Sequence, residues 1–152
     1  MTLTQKKSTQ TMTERFSKNK VIIYQKREVS NQITRNTLKV KAFMKKHEIP
    51  YEEREINELS FAELSNIIQK SSLPIDDFIS QKSKKYTNQY GKNRNAFLDL
   101  TYSQVINFML SNPTTIKGPI TMKNDIILVG YSTENIRVFL PRLYRTLELQ
   151  KK

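Results

Sequence analysis

The chain has 152 residues, 37% of them hydrophobic, a length and composition that fit one compact domain. It has no cysteine and a single histidine, His47, which excludes disulfides, zinc–thiolate sites, iron–sulfur clusters, thiol chemistry and multi-histidine metal sites. A formal net charge of +12 favours polyanionic partners, either nucleic acid or an acidic protein surface.

Residues 1–19, MTLTQKKSTQTMTERFSKN, carry one large aromatic, Phe16, and are otherwise mostly polar, so they bury too little surface to offset the entropy of ordering. They read as a disordered basic arm bearing Lys6, Lys7, Arg15 and Lys18. This start has no apolar stretch, and no segment approaches the roughly 18 apolar residues of a membrane span, so a cytoplasmic location is expected. Residues 21–24, VIIY, form a short β-rich run and are the first predicted strand. A polar loop follows. Thr34 then stands as the N-cap of a helix whose apolar positions include Leu38, Val40, Phe43 and Met44. That helix ends near His47, because Pro50 disfavours helix at the residue before it.

Residues 51–56 read as a second strand, in which Glu52, Glu53 and Glu55 mark an edge and not an acid/base pair. Ser60 caps a helix carrying Phe61, Leu64, Ile67 and Ile68 on its apolar face. The chain turns at Leu73 and Pro74, and a short helix runs on through Phe78 and Ile79. Residues 81–94 are polar and basic and read as a solvated loop. A further helix covers residues 102–110, with Val105, Ile106 and Met109 on one side. Gly118 and Pro119 break the chain before two strands, residues 120–122 and 125–129, which form an antiparallel hairpin. Ser132 caps a last helix with Ile136, Phe139 and Leu140 as its apolar face, interrupted by Pro141. A basic tail, residues 143–152, follows.

A helix between two adjacent strands implies a parallel pair. The late hairpin adds antiparallel strands. The expected fold is therefore α/β and thioredoxin-like: a mixed four-stranded sheet flanked by helices, occupying residues 20–142.

Three blocks within this frame resemble the ArsC/Spx family. The longest is residues 118–142, GPITMKNDIILVGYSTENIRVFLPR. The others are residues 47–51, HEIPY, and residues 79–84, ISQKSK. They occur in family order, and the FLPR ending resembles the Spx branch more than true arsenate reductases. The resemblance implies an inserted helical segment within the fold and a cis peptide bond before Pro119. It also implies that a Cys-x-x-Cys, or a single catalytic cysteine, would open the first helix. Thr34 and Thr37 occupy those positions here. The family's arginine before Pro-Ile, which helps bind oxyanion in the reductases, is replaced by Gly118, with Lys117 one step earlier.

A threonine hydroxyl without a base lacks the nucleophilicity of a thiolate at a helix N-terminus. The chain is therefore expected to be non-catalytic, with no cofactor and no metal. The resemblance further implies binding to the C-terminal domain of the RNA polymerase α subunit around Ser71, Ser72, Leu73 and Pro74, with Lys82 and Lys84 tied to transcriptional activity. Pro74 stands where the family has a small glycine, which alters that turn. Lys82, Lys84, Lys85, Lys92 and Arg94, with Tyr86 among them, are expected near promoter DNA. An antagonist or adaptor occupying the polymerase site, and a direct DNA-binding protein, remain open alternatives.

Overall fold

The computed structural model describes residues 20–141. The expected N-terminal arm and the C-terminal tail lie outside them. The fold is thioredoxin-like. It begins with strand β1 (Val21–Gln25), helix α1 (Arg35–Lys46) and strand β2 (Tyr51–Glu55). Helices α2 (Phe61–Ser71), α3 (Lys84–Tyr90), α4 (Arg94–Leu98) and α5 (Tyr102–Ser111) follow, then strands β3 (Ile120–Lys123) and β4 (Ile126–Val129). The sheet order is β2-β1-β3-β4. β1 and β2 are parallel, with Val21 opposite Tyr51, while β3 pairs antiparallel with both β1 and β4. The Gly118–Pro119 bond is cis, as the resemblance implies.

Alternation along β1 builds two cores, because successive side chains point to opposite faces of a sheet. Val21 and Ile23 face α1, where they meet Val40 and Met44 together with Ile136 and Phe139. Tyr24 turns to the other face and joins Leu64, Ile68, Phe78, Ile106 and Ile120. α2 and α5 are held at their starts by reciprocal capping boxes, Ser60 with Glu63 and Thr101 with Gln104.

Gln25 continues the α1 face but is polar and buried. It is satisfied on both sides: Lys41 Nζ donates to its Oε1 at 2.5 Å, and its amide donates to Glu55. Arg27 clamps Glu55 through two nitrogens, at 2.8 and 3.1 Å. Lys41 also pairs with Glu53 at 3.2 Å, and Arg54 with Glu52 at 2.8 Å. The acidic run of β2 is thus a charge-paired edge strand.

Residues 81–94 depart from the expected loop: α3 lies within them and α4 starts at their end. Tyr86 and Tyr90 are one helical turn apart and buried, and both meet Phe97 of α4 edge-on at 5.2 Å. Asn93 caps α4 by accepting the Ala96 N–H. The last predicted helix is also corrected. Ser132 Oγ accepts the Asn135 N–H as a cap would, but the segment is a 3-10 turn, Asn135–Phe139. Pro141 leaves no room for it to lengthen.

Two outcomes follow. Phe78 is fully buried, so Phe78→Ala should cost about 3–5 kcal/mol in chemical denaturation, while Leu98→Ala, on an exposed side chain, should stay within about 0.5 kcal/mol. The Arg27 hydrogen bonds hold the Glu55 carboxyl below its ordinary value, against the opposing effect of burial and with help from Gln25. A lowered carboxylate pKa stabilises the fold above the unfolded-state value, and that contribution is lost as pH falls through the folded-state value. The stability advantage of the wild type over Glu55→Gln should therefore shrink as pH falls through and below the ordinary glutamate range, as read by urea midpoints.

Candidate functional site

Three regions carry the expected site residues, and Lys117 lies at the junction of the first two. The first is the head of α1, beyond the C-terminal end of β1. Thr34 has extended backbone at the N-cap position, and its carbonyl accepts the Leu38 N–H. Its hydroxyl makes no capping bond to the backbone, which corrects the expected role of that side chain. It pairs instead with the Thr37 hydroxyl at 2.8 Å. Thr37 is fully buried, and its oxygen also accepts the Lys26 N–H at 3.2 Å. The Thr34 N–H closes the arrangement by donating to the Lys26 carbonyl at 3.0 Å. These hydroxyls fasten the β1–α1 connection. The lone histidine, His47, sits at the far end of α1, a helix of 12 residues and about 18 Å. No proton passes directly between it and Thr34 over that distance.

A groove of about 450 Å³ opens over this head, lined by Lys26, Thr34, Arg35, Ser80, Lys117 and Gly118, among others. Lys26 Nζ donates to the Thr114 carbonyl at 3.1 Å, and burial pushes its ammonium below the ordinary lysine value. Lys117 is exposed. A Cβ built on Gly118 would stand 2.6 Å from Ile56 Cδ1, so a longer side chain here needs Ile56 to move. Sequence reasoning did not single out Lys26 or Arg35. Their one signal is position, Lys26 directly after β1 and Arg35 directly after the cap.

The second region is the turn after α2. Ser71 Oγ donates to the Ile68 carbonyl at 2.6 Å and accepts the Leu73 N–H at 3.1 Å. Ser72 takes the left-handed conformation, φ 59°, that ends the helix. Leu73 is exposed, and Pro74 starts the 3-10 turn Ile75–Phe78. Leu73 stands on the rim of a larger groove, about 830 Å³, shared with Asp77, Lys117, β4 and Val138.

Lys82, Lys84, Lys85 and Lys92 are all exposed. Arg94 is exposed too, but it lies 4.0 Å from the Asp76 carboxylate and donates to the Tyr86 hydroxyl at 3.4 Å. The expectation for Tyr86 is corrected. At 4% exposure, packed against Phe97 and Tyr90, its ring offers no face on which a base stacks. Lysine spacing had disguised the Tyr86–Tyr90 helical pair as loop.

The model of the ArsC family matches residues 4–139. The chain is 36% identical over 112 residues to the global transcriptional regulator Spx 2 of Lactococcus lactis, covering 72% of this chain and 82% of that one. Among solved structures it resembles a putative ArsC family related protein from Bacteroides fragilis, with a TM-score of 0.65 and 20% identity over 79% of this chain and 97% of the other. It also resembles an arsenate reductase from Vibrio cholerae, with a TM-score of 0.65 and 19% identity over 80% and 98%. At those identities the structural likeness speaks to the fold alone.

The hydroxyl geometry yields a direct check. With oxygens 2.8 Å apart, Thr34→Cys/Thr37→Cys should place two sulfurs within bonding reach. Treatment of the folded double variant with a mild oxidant should remove both thiols in a thiol titration. Persistence of both would contradict the placement.

Proposed function

The chain belongs to the ArsC family and to its Spx branch, and from that premise we propose that it is a non-catalytic, cytoplasmic transcription regulator. It binds the C-terminal domain of the RNA polymerase α subunit and acts at promoter DNA without a redox switch. The curated relative named as a global transcriptional regulator supports the regulatory part. The observation that carries the docking part is the turn after α2. Leu73 is exposed there at the lip of an open groove, and the Ser71 hydroxyl holds its backbone by accepting the Leu73 N–H while donating to the Ile68 carbonyl. An exposed apolar side chain on a preorganised turn is suited to a protein partner.

The absence of cysteine supports a constitutive mode of action, because the Thr34–Thr37 pair has no second oxidation state. The exposed Lys82 and Lys84 then lie free to neutralise phosphates once the complex reaches a promoter. Pro74 favours a second reading. It fixes φ and lacks an N–H donor where the family has glycine, so the chain occupies the polymerase site as an antagonist or adaptor in place of an activator. A third, a protein that binds DNA directly and without polymerase, is weaker because Tyr86 is buried and Arg94 is paired with Asp76.

Binding of the isolated α-subunit domain to the folded chain, followed by calorimetry, separates these. Leu73→Asp should weaken it about tenfold or more. Lys82→Glu/Lys84→Glu should leave α-domain binding intact and weaken the ternary complex with promoter DNA, with a smaller salt dependence. No complex between the wild type and the α domain at low salt would reject the proposal. Stimulated transcription in vitro favours the activator, and unchanged or reduced transcription the antagonist.

A further inference from the structure

Lysine ordinarily carries a hydrated charge on a flexible stem. Lys26 is instead half-buried and held at both ends. Its backbone N–H donates to the Thr37 hydroxyl at 3.2 Å, and its carbonyl accepts the Thr34 N–H at 3.0 Å. Its stem lies against Gly118, where an added Cβ would stand 3.0 Å from Lys26 Cβ and 3.4 Å from its Cδ. At the tip, Nζ donates to the Thr114 carbonyl at 3.1 Å.

That partner is neutral. No carboxylate of the described residues pairs with Lys26, and none lines the groove it borders. Lys41, which is buried, differs on this point, since it meets the Glu53 carboxylate at 3.2 Å. Lys123 is half-buried but lies outside the groove, and the other described lysines are exposed. Burial beside a carbonyl disfavours the charged ammonium, which is the direction in which the Lys26 amine is moved. The free amine is a nucleophile, and the ammonium is not. Arg35 and Lys117 line the same groove of about 450 Å³. A nucleophilic amine near two cations matches a ligand with an electrophilic carbon at one end and a phosphate at the other.

We propose that Lys26 is an acylation site, modified by small acyl phosphates that the groove recruits through Arg35 and Lys117. The ammonium first gives a proton to water. The amine lone pair then attacks the carbonyl carbon and a C–N bond forms. The C–O bond to phosphate breaks with its electron pair, and the surplus proton on nitrogen passes to the released phosphate. The product is a neutral amide, so the groove loses one of its charges. Lys117 also lines the groove bounded by Leu73, which places the modification next to the docking turn. Its consequence for polymerase binding rests on the reading of the chain as a regulator, whereas the acylation itself does not. The input needs no sulfur and is independent of oxidants.

The test is peptide mass spectrometry of the folded full chain during incubation with acetyl phosphate, with circular dichroism checking the fold of each variant. Lys26 should be acetylated about tenfold or more faster than Lys70 or Lys85, and the preference should vanish in urea. Lys26→Arg keeps the charge and should abolish the fast reaction alone. Arg35→Gln/Lys117→Gln should slow acetylation of Lys26 by acetyl phosphate about fivefold, while its reaction with a neutral N-hydroxysuccinimide acetate should change less than about twofold. A rate at Lys26 no greater than at Lys70 in the folded chain, a preference that survives unfolding, or equal effects of the double variant with both reagents would overturn the proposal. No polymerase enters the measurement, so failure here is distinguishable from failure of polymerase docking.

Discussion

Everything in this fold depends on β1 being buried on both faces. Val21 and Ile23 on one side and Tyr24 on the other each anchor a separate apolar cluster. A strand enclosed in this way has no freedom of register, because a slip of one residue would send every side chain to the wrong core. Its C-terminal end is consequently a fixed point. Lys26, Thr34 and Thr37 are tied to one another there by backbone and hydroxyl hydrogen bonds, which is how the head of α1 is held over the groove. In open α/β sheets the region beyond the carboxyl ends of strands is where ligands gather, and this protein keeps that geometry.

What has changed is the chemistry at that point. Two hydroxyls, 2.8 Å apart, stand there, at the head of α1, where the resemblance in sequence implies that the family has sulfur. They retain the hydrogen-bonding capacity of a polar pair at a helix start but not the nucleophilicity or the two-electron oxidation of thiols. Gly118 presents no side chain to the groove, and Ile56 fills the space beside it. The charge that remains is cationic: Lys26, Arg35 and Lys117 line the opening. A surface of this kind suits contact with an extended partner more than turnover of a small substrate.

Much of this was legible in the sequence. The run at residues 21–24, the cap Ser60, the proline at 50 and the hairpin after Pro119 give the sheet order and the helices on it. They act locally, through turn chemistry and periodicity, so a single sequence carries them. The helices over residues 84–98 were not legible, because their stability comes from Tyr86, Tyr90 and Phe97 meeting across two short segments whose surfaces are almost entirely polar. The 3-10 turn at residues 135–139 has the same origin: a helical pattern is present, but Pro141 and the packing of Ile136 and Phe139 against β1 set its length. The cationic groove over the head of α1 escaped for a different reason. Lys26, Arg35 and Lys117 are far apart in sequence or look like ordinary solvated charges, and only the folded sheet brings them to one opening.

The central claim is that a docking surface for the transcription machinery has persisted without sulfur chemistry. The most direct measurement is affinity purification of the tagged full chain from the cells that make it, with and without a thiol oxidant, followed by quantification of core RNA polymerase. Polymerase should co-purify in equal amount under both conditions, because the chain has no thiol for the oxidant to act on. Absence of polymerase from folded, tagged protein, or an association that appears only after oxidation, would contradict the account.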